Sequence, residues 1–153
     1  MITTNQILDA INKVVLQEFP NMTVYRDGVP EKFERPSLFL AYDPLQIVSR
    51  SGFLVECRQL FSVQIMDETD ESLLGDTDRL TDIIFRLTTA FGAALPCRDR
   101  HLHIERIAAE REGPIGPNGA VDLTLHWFEY QPAVPPAKGE TAATAEISVR
   151  HQA

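Results

Sequence analysis

Three histidines in the second half of this 153-residue chain are candidates for binding a metal ion. His101 and His103 stand two residues apart, so a strand would direct both imidazoles to one face, where they could bind zinc. His126 could lie on a nearby strand and add a third ligand. However, no cysteine or carboxylate cluster completes the set at a recognisable spacing. We therefore interpret the histidines as solvent-facing and predict no metal site.

A run of carboxylates offers a second possible cation site, through oxygen ligands. Its members are Asp67, Glu68, Asp70, Glu71, Asp76, Asp78 and Asp82. Their spacing does not match the Asp-x-Asp-x-Asp-Gly calcium loop. Carboxylates ahead of a helix also interact favourably with its positive end, by about 0.3–1 kcal/mol each. A solvated helix start is therefore the favoured interpretation.

The sequence lacks the common catalytic and nucleotide-binding motifs. The glycine-rich stretch 113–119 lacks the Gly-Lys-Ser/Thr ending of a phosphate loop, and it lies between predicted strands, so it indicates a turn. There is no Gly-x-Ser-x-Gly nucleophile elbow. We therefore predict no catalytic activity and no cofactor. A small enzyme or metal-binding protein that uses His101, His103 and the acidic run is the weakest alternative.

Composition limits the class of protein further. The chain is 44% hydrophobic and 24% charged, which is ordinary for one globular domain. Its net charge of −8 argues against tight binding of nucleic-acid phosphates, which needs clustered Lys and Arg. No apolar run could span a bilayer and the N-terminus lacks a secretory pattern, so we predict a cytoplasmic protein without a membrane partner. In that reducing compartment, Cys57 and Cys97 are expected to be free.

Two segments near the centre of the chain predict a strand and a helix that bury each other. Apolar and polar residues alternate over 55–65, which is typical of a half-buried antiparallel strand. Over 72–91 the apolar residues recur every three or four positions, which indicates one apolar stripe on a helix. Gly75 disfavours helix, so the helix is expected to start near Asp76. Gly92 is its expected C-cap.

The remaining segments are expected to add a helix and to extend the sheet. Thr3 and Gln6 fit a capping box ahead of a first helix that ends at Pro20. An apolar pair at 47–48 lies in a long hairpin that joins strand 37–42 to the strand after Gly52. Further strands are predicted at 21–27, 101–112, with a bulge near residue 106, and 121–128.

These elements predict an α+β fold. We expect one mostly antiparallel sheet of four to five strands, packed by two amphipathic helices and carrying a long β-hairpin, in a single domain over residues 1–131. From residue 132 the composition becomes rich in proline and alanine. That change predicts an extended C-terminal arm over 132–153, either disordered or added as a strand to a neighbour's sheet edge.

Several residues are candidates for contacts between subunits. The hairpin tip at 47–48 has few reasons to be buried in its own subunit, and the arm carries a short apolar segment. The basic stretch near residue 100 could face the acidic segment of the next copy in a ring of identical subunits. The candidate contacts are Ile47, Val48, Arg50, Asp70, Glu71, Arg98, Arg100, Ile147 and Val149.

The order of these elements and the character of the strands resemble the tail terminator, or tail completion, proteins of long-tailed bacteriophages and prophages. The resemblance covers about the first 131 residues. It rests on the helices at 4–19 and 78–91 and on the strands at 36–42, 60–65 and 121–130. It implies a hexameric ring that caps the growing tail tube, stops tube polymerisation and presents a surface to the head. It implies neither catalysis nor a cofactor.

The resemblance also implies a set of partners. These are further copies of the chain in a homohexamer, the tail tube protein, and a head–neck connector or stopper protein. Packaged DNA would pass through the lumen without specific binding, and the acidic net charge agrees with such a wall. The implied location is the tail or neck of the virion, after assembly in the host cytoplasm. Another neck or tail component, such as a connector, stopper or tube-fold protein, is the main alternative, because these share small α+β architectures.

Overall fold

The computed structural model describes residues 1–70, 72 and 74–130 of the chain. Two helices and seven strands are found in this part of the chain. In chain order they are α1 (Thr4–Glu18), β1 (Thr23–Tyr25), β2 (Ser37–Tyr42), β3 (Gln46–Ser51), β4 (Leu54–Met66), α2 (Thr77–Ala90), β5 (Ala94–Cys97), β6 (Arg100–Arg111) and β7 (Asn118–Tyr130).

All seven strands belong to one sheet, in which β4 and β7 are central. The strand order is β1-β2-β4-β7-β6-β5, and β3 also pairs with β4. β1 and β2 are parallel, and every other pair is antiparallel. β4 and β7 pair over their whole length, from Leu54 opposite Tyr130 to Met66 opposite Asn118. The sheet is therefore mostly antiparallel, as the alternating pattern predicts.

β2 and β3 share one edge of β4, one after the other. β2 pairs with residues 61–66 of β4, and β3 pairs with residues 54–58. The tight hairpin is β3–β4, which turns at Gly52 with a φ of +59°. The long hairpin predicted from the sequence is thus one strand broken in two, since Asp43 and Pro44 separate β2 from β3.

Both helices pack on the same face of the sheet. Alternate residues of the central strands are buried there, together with one side of each helix. The buried sheet residues include Val55, Cys57, Phe61, Val63, Ile65, Leu102, Val121, Leu123, Leu125 and Trp127. The helices contribute Ile7, Leu8, Ile11, Val15, Leu80, Ile83 and Leu87. This arrangement leaves the opposite face of the sheet without a helix among the described residues.

The starts of both helices agree with the sequence signals. Thr3 accepts a hydrogen bond from the N–H of Gln6, and the Gln6 side chain accepts one from the N–H of Thr3. Asp76 caps α2 by accepting from two backbone N–H groups of the first turn. The prediction of Gly92 as a C-cap is wrong. Phe91 ends α2 in an extended conformation, and Gly92 is not among the residues with positive φ.

The predicted number of strands is also wrong, because the sheet has seven strands instead of four to five. β1 and β5 contain only three and four residues, which is too short to show a clear period of two. β5 also contains Pro96, a residue type that usually indicates a break. Proline is tolerated there because β5 is the last strand of the sheet order, so one side needs no N–H donor.

The structure tests some of the remaining predictions and leaves others untested. The bulge in β6 is confirmed by a register shift between Ile104 and Arg106. Cys57 and Cys97 are free and buried. The arm over 132–153, with Ile147 and Val149, lies outside the described residues, as does Glu71. No described helix has the length and hydrophobicity needed to cross a membrane.

Candidate assembly surfaces

Exposed apolar residues, here called the hairpin surface, lie on or next to the β3–β4 hairpin and at the end of β7. It consists of Leu45, Ile47, Val48, Phe53, Phe128 and Tyr130, all of them exposed. Tyr130 lies opposite Leu54 in the ladder, and this brings its ring to 6.0 Å from the ring of Phe53. Tyr130 is 72% exposed, so this aromatic pair is presented to solvent. Ile47 lies opposite the buried Cys57, on the helix-covered side of the sheet, whereas Phe128 and Tyr130 lie on the other side. Large exposed apolar side chains grouped at one end of a sheet favour a contact region.

A bulge in β3 explains why two apolar side chains are exposed side by side. Ile47 lies opposite Cys57 and Ser49 lies opposite Glu56, so Val48 is the extra residue between them. Ile47 is 37% exposed and Val48 is 44% exposed. The exposure of this pair agrees with the sequence analysis, while Arg50 is only partly exposed.

The face opposite the helices carries a network of polar contacts across neighbouring strands. Glu56 on β4 accepts a hydrogen bond from the Ser49 hydroxyl at 2.7 Å, and its other oxygen lies 2.7 Å from Nε2 of His126. The bond from Ser49, followed by that from His126, lowers the pKa of Glu56. Arg58 binds Glu105 through two bonds of 2.9 and 3.0 Å. These contacts connect β3, β4, β6 and β7 on this face.

The histidines do not form a metal site within the described residues. His103 and His126 are opposite each other on β6 and β7, with ring centroids 6.5 Å apart. Nε2 of His126 is already occupied by Glu56. Within the described ranges, no three His, Cys, Asp or Glu side chains are placed to hold a metal ion. The chemistry available here is the hydrogen bond between His126 and Glu56.

The two arginines of the predicted basic contact have different surroundings. Arg98 lies in the β5–β6 turn with a φ of +58° and is exposed. Arg100 binds Glu129 of its own subunit, with Nη1 3.0 Å from Oε2, and also donates to the backbone oxygen of Phe128. Arg98 is therefore presented for contact, whereas Arg100 has an internal partner.

Glu129 is the anchor for Arg100. It is 3% exposed and accepts hydrogen bonds from the N–H of Ile2 at 2.8 Å and the indole of Trp127 at 3.1 Å. Burial alone raises the pKa of this carboxyl, but the bonds from Ile2, Arg100 and Trp127 together hold it below its usual value. Glu129 thus fixes the N-terminus to the end of β7.

The acidic run largely serves its own loop. Asp70 accepts hydrogen bonds from the backbone N–H groups of Ser72 and Leu74, and Glu68 forms an ion pair with Arg79. Asp67 is fully buried, with its Oδ1 3.0 Å from Nε of Arg79. Burial raises the pKa of Asp67, although Arg79 acts in the opposite direction. These contacts occupy much of the charge that could otherwise bind a neighbouring copy.

The concavities of the described surface are open grooves. One of about 500 Å³ lies between α1 and the β5–β6 turn, with Asp9, Lys13 and Arg98 among its lining residues. Another of about 520 Å³ lies beside His103 and His126. Neither groove combines a Ser, Thr or Cys nucleophile with a base and an orienting group.

The sequence analysis missed the aromatic part of the hairpin surface. Phe128 and Tyr130 are both on the face opposite the helices, because they alternate with the buried Trp127 and Glu129. The sequence signal that could have indicated this surface is the presence of two aromatic residues at positions of the strand that face away from the core. The ion pair between Arg100 and Glu129 joins residues 29 positions apart, so no local pattern indicated it.

A family model described as phage tail terminator protein matches residues 6–130. The match extends from α1 to the end of β7 and includes every strand of the sheet. A search of curated proteins returned no match.

Proposed function

We propose a tail-capping role for this chain, which belongs to the phage tail terminator family. In this role it is a structural protein of the virion that forms a homohexameric ring at the head-proximal end of the tail tube. The ring ends tube polymerisation and offers the surface to which the head–neck connector or stopper binds. The hairpin surface is the observation that supports this proposal most directly, because its large apolar side chains are exposed on the subunit and would be buried by contact with other proteins.

A ring of identical subunits needs two different surfaces that match each other. The hairpin surface is apolar, whereas Arg98 and the groove beside α1 form a charged surface. An apolar surface does not complement a charged one, so the proposed ring uses two kinds of contact between copies. Ile47, Val48 and Arg50 belong to the apolar contact, and Arg98 faces acidic residues of the next copy. Asp70 and Glu71 are proposed as partners of the basic side.

The net charge of −8 supports a lumen through which DNA passes without specific binding. A surface rich in carboxylates repels the phosphate backbone and therefore does not retain it. This proposal concerns the whole ring, since the lumen exists only in the assembly.

Mass measurement of the purified protein, alone and with its tube protein, tests the ring. We expect the wild-type protein to reach six subunits and Val48→Asp to remain smaller, because a charge in the hairpin surface would be desolvated on contact. Phe85→Asp is the matched control, since Phe85 is an exposed apolar residue on α2. If Phe85→Asp alone prevented assembly, the contact would belong to α2 instead.

Electron microscopy tests the position of the ring and separates the alternative neck components. A terminator is expected at the head-proximal end of the tube, and its loss is expected to give overlong tails. A ring located next to the portal, with tube length unchanged on loss, would favour a connector or stopper.

A further inference from the structure

We propose that residues 42–49 of one copy dock into the groove between α1 and β5 of the next copy. The segment runs from the end of β2 into β3, and the groove is the one lined by Lys13 and Arg98. This inference rests on the proposed ring and joins its apolar and its charged contact in one interface. It also adds Asp43 to the acidic partners of Arg98.

The segment 42–49 is exposed at every residue. Its large apolar side chains are those of Tyr42, Leu45, Ile47 and Val48. Asp43 is its one charged residue. The backbone of Asp43 bonds to Leu60 and Gln59, whereas its carboxylate forms no hydrogen bond or ion pair within the described residues. The segment therefore presents an apolar surface with a single negative charge.

The groove offers groups that match this segment. Ala10 and Val14 of α1 and Pro96 of β5 give it an apolar lining. Its two cations are Lys13 and Arg98, and neither side chain forms a hydrogen bond or an ion pair with another described residue. A carboxylate that entered the groove with its apolar neighbours would therefore meet unpaired positive charge.

The carboxylates near the groove do not cancel this charge. Asp9 lines the groove, but it forms an ion pair with Arg26. Asp99 follows Arg98 in the chain and is not among the lining residues. The groove is thus positive on a chain whose net charge is −8, so another copy of the same acidic chain is a suitable occupant.

The backbone conformation of Arg98 supports a role for its side chain. Its φ of +58° lies in the left-handed region, which favours glycine because a Cβ crowds the following carbonyl oxygen. An arginine at this position is therefore unfavourable for the fold itself, and residues in such conformations cluster at functional sites. Since this side chain is exposed and has no partner within the described residues, its conformation favours a contact with another molecule.

β3 and β5 lie at the same level on opposite sides of the sheet. One row of paired residues crosses the sheet between them, through Ala94, His103, His126, Arg58 and Gln46. Its ends are about 19 Å apart, which is four strand spacings of about 4.8 Å. Copies that dock at the two ends of this row stand side by side without a shift along the strands. Such an arrangement favours a closed ring over a rising helical filament.

Cross-linking of full-length variants tests this contact. Protein carrying Leu45→Cys is mixed before assembly with protein carrying Val14→Cys, treated with a short bifunctional thiol reagent and analysed by peptide mass spectrometry. The native Cys57 and Cys97 are buried and are expected to react slowly. Leu74→Cys replaces Leu45→Cys in the control, because Leu74 is 41% exposed and Leu45 is 39% exposed.

We expect a link between the two different chains at about tenfold the yield of the control, because docked groups are held at millimolar effective concentration. The mass of the assembly is measured on the same samples and on the wild-type protein. A ring of six without the link overturns this inference and leaves the proposed function standing. A wild-type protein that forms no ring, alone or with its tube protein, overturns both proposals.

Exchange of the charges tests the pair formed by Asp43 and Arg98. Each single variant, Asp43→Lys or Arg98→Glu, is expected to raise the concentration at half-assembly about tenfold, because like charges then meet. The double variant Asp43→Lys/Arg98→Glu should return to within about threefold of the wild type, since opposite charges face each other again. Arg98→Glu/Glu110→Lys is the control, because Glu110 is an exposed carboxylate outside the groove. Equal recovery in the control, or none in the double variant, overturns this inference.

Discussion

Two buried carboxylates, Glu129 and Asp67, show how the same residue class can have opposite effects on stability. Both lie within 3.0 Å of an arginine nitrogen. Glu129 also accepts hydrogen bonds from a backbone N–H and an indole, and its pKa is lowered. At Asp67 the cost of burial exceeds the benefit of nearby groups, and its pKa is raised. The number of donors that reach the buried oxygens decides between the two outcomes.

Glu129→Gln is expected to lower the free energy of unfolding by about 1–3 kcal/mol at neutral pH, because Arg100 loses its charged partner. The low end allows for the partial exposure of Arg100. The folded pKa is below 4.5, so this stabilisation is present above pH 4.5 and is lost as the pH falls through the folded pKa. Urea titrations between neutral and acidic pH measure the difference. Glu105→Gln, which removes an exposed ion pair, is the control.

Asp67→Asn is expected to raise the free energy of unfolding at neutral pH. The pKa of Asp67 in the folded protein is above 3.8, so the charged form is disfavoured by folding and its cost is present above the folded pKa. The advantage of the variant should disappear as the pH falls toward 3.8. Thermal unfolding across this pH range checks the prediction. A clear loss at neutral pH would mean that the ion pair with Arg79 outweighs the cost of burial.

At the scale of elements, most local signals gave correct predictions, and the C-cap at Gly92 was the exception. The capping box at Thr3, the start of α2 near Asp76 and the bulge near Arg106 could all be predicted, because each depends on residues a few positions apart. The short strands β1 and β5 could not be predicted, because strands of this length gain their stability from neighbours distant in sequence. The division of one edge into β2 and β3 could not be predicted for the same reason, because it depends on how both strands pair with β4.

Asp76→Ala is expected to lower the free energy of unfolding by about 1 kcal/mol, because the N–H groups of Asp78 and Arg79 lose their acceptor. Asp82→Ala is the control, since Asp82 has the same charge on an exposed position of α2. Chemical denaturation of both variants checks the prediction. Equal losses would assign the effect to charge rather than to the cap.

Gly75→Ala is expected to destabilise the protein by about 1–3 kcal/mol, whereas Gly92→Ala should have little effect. A Cβ at Gly75 would lie 2.6 Å from Cα of Pro117, while one at Gly92 would meet no atom within 4 Å. Gly75 also donates to the backbone oxygen of Ile115. From the sequence alone, the cost of Gly75 is that of a glycine inside a helix. The structure assigns its role to close packing of two loops, and the melting temperatures of the two variants test this.

At the scale of the whole molecule, the α+β class and the two amphipathic helices could be predicted from hydrophobic periodicity. The structure adds that both helices pack on one face of the sheet. The contact surfaces cannot be predicted from hydrophobic periodicity, because they depend on which residues the sheet brings together. Phe53 and Tyr130 are 77 positions apart in the sequence (130 minus 53) and become neighbours only through the pairing of β4 with β7.

Arg98→Glu and Arg100→Glu are expected to affect different properties. Arg98→Glu should leave the free energy of unfolding unchanged and weaken the proposed ring, because its side chain is exposed. Arg100→Glu should lower the free energy of unfolding by about 2–4 kcal/mol, because it places a second carboxylate beside the buried Glu129. Denaturation and mass measurement on both variants separate the two effects. Normal assembly of Arg98→Glu would remove this residue from the contact.

The shared edge of β4 has a consequence for how the sheet opens. β3 is attached to the molecule through β4 alone among the described strands, whereas β2 is held between β1 and β4. β3 can therefore separate from residues 54–58 while residues 61–66 of β4 stay hydrogen-bonded to β2. Backbone amides that join β3 to β4 should accordingly exchange with deuterium faster than those that join β2 to β4. Binding of a neighbouring subunit to the hairpin should slow the exchange in β3.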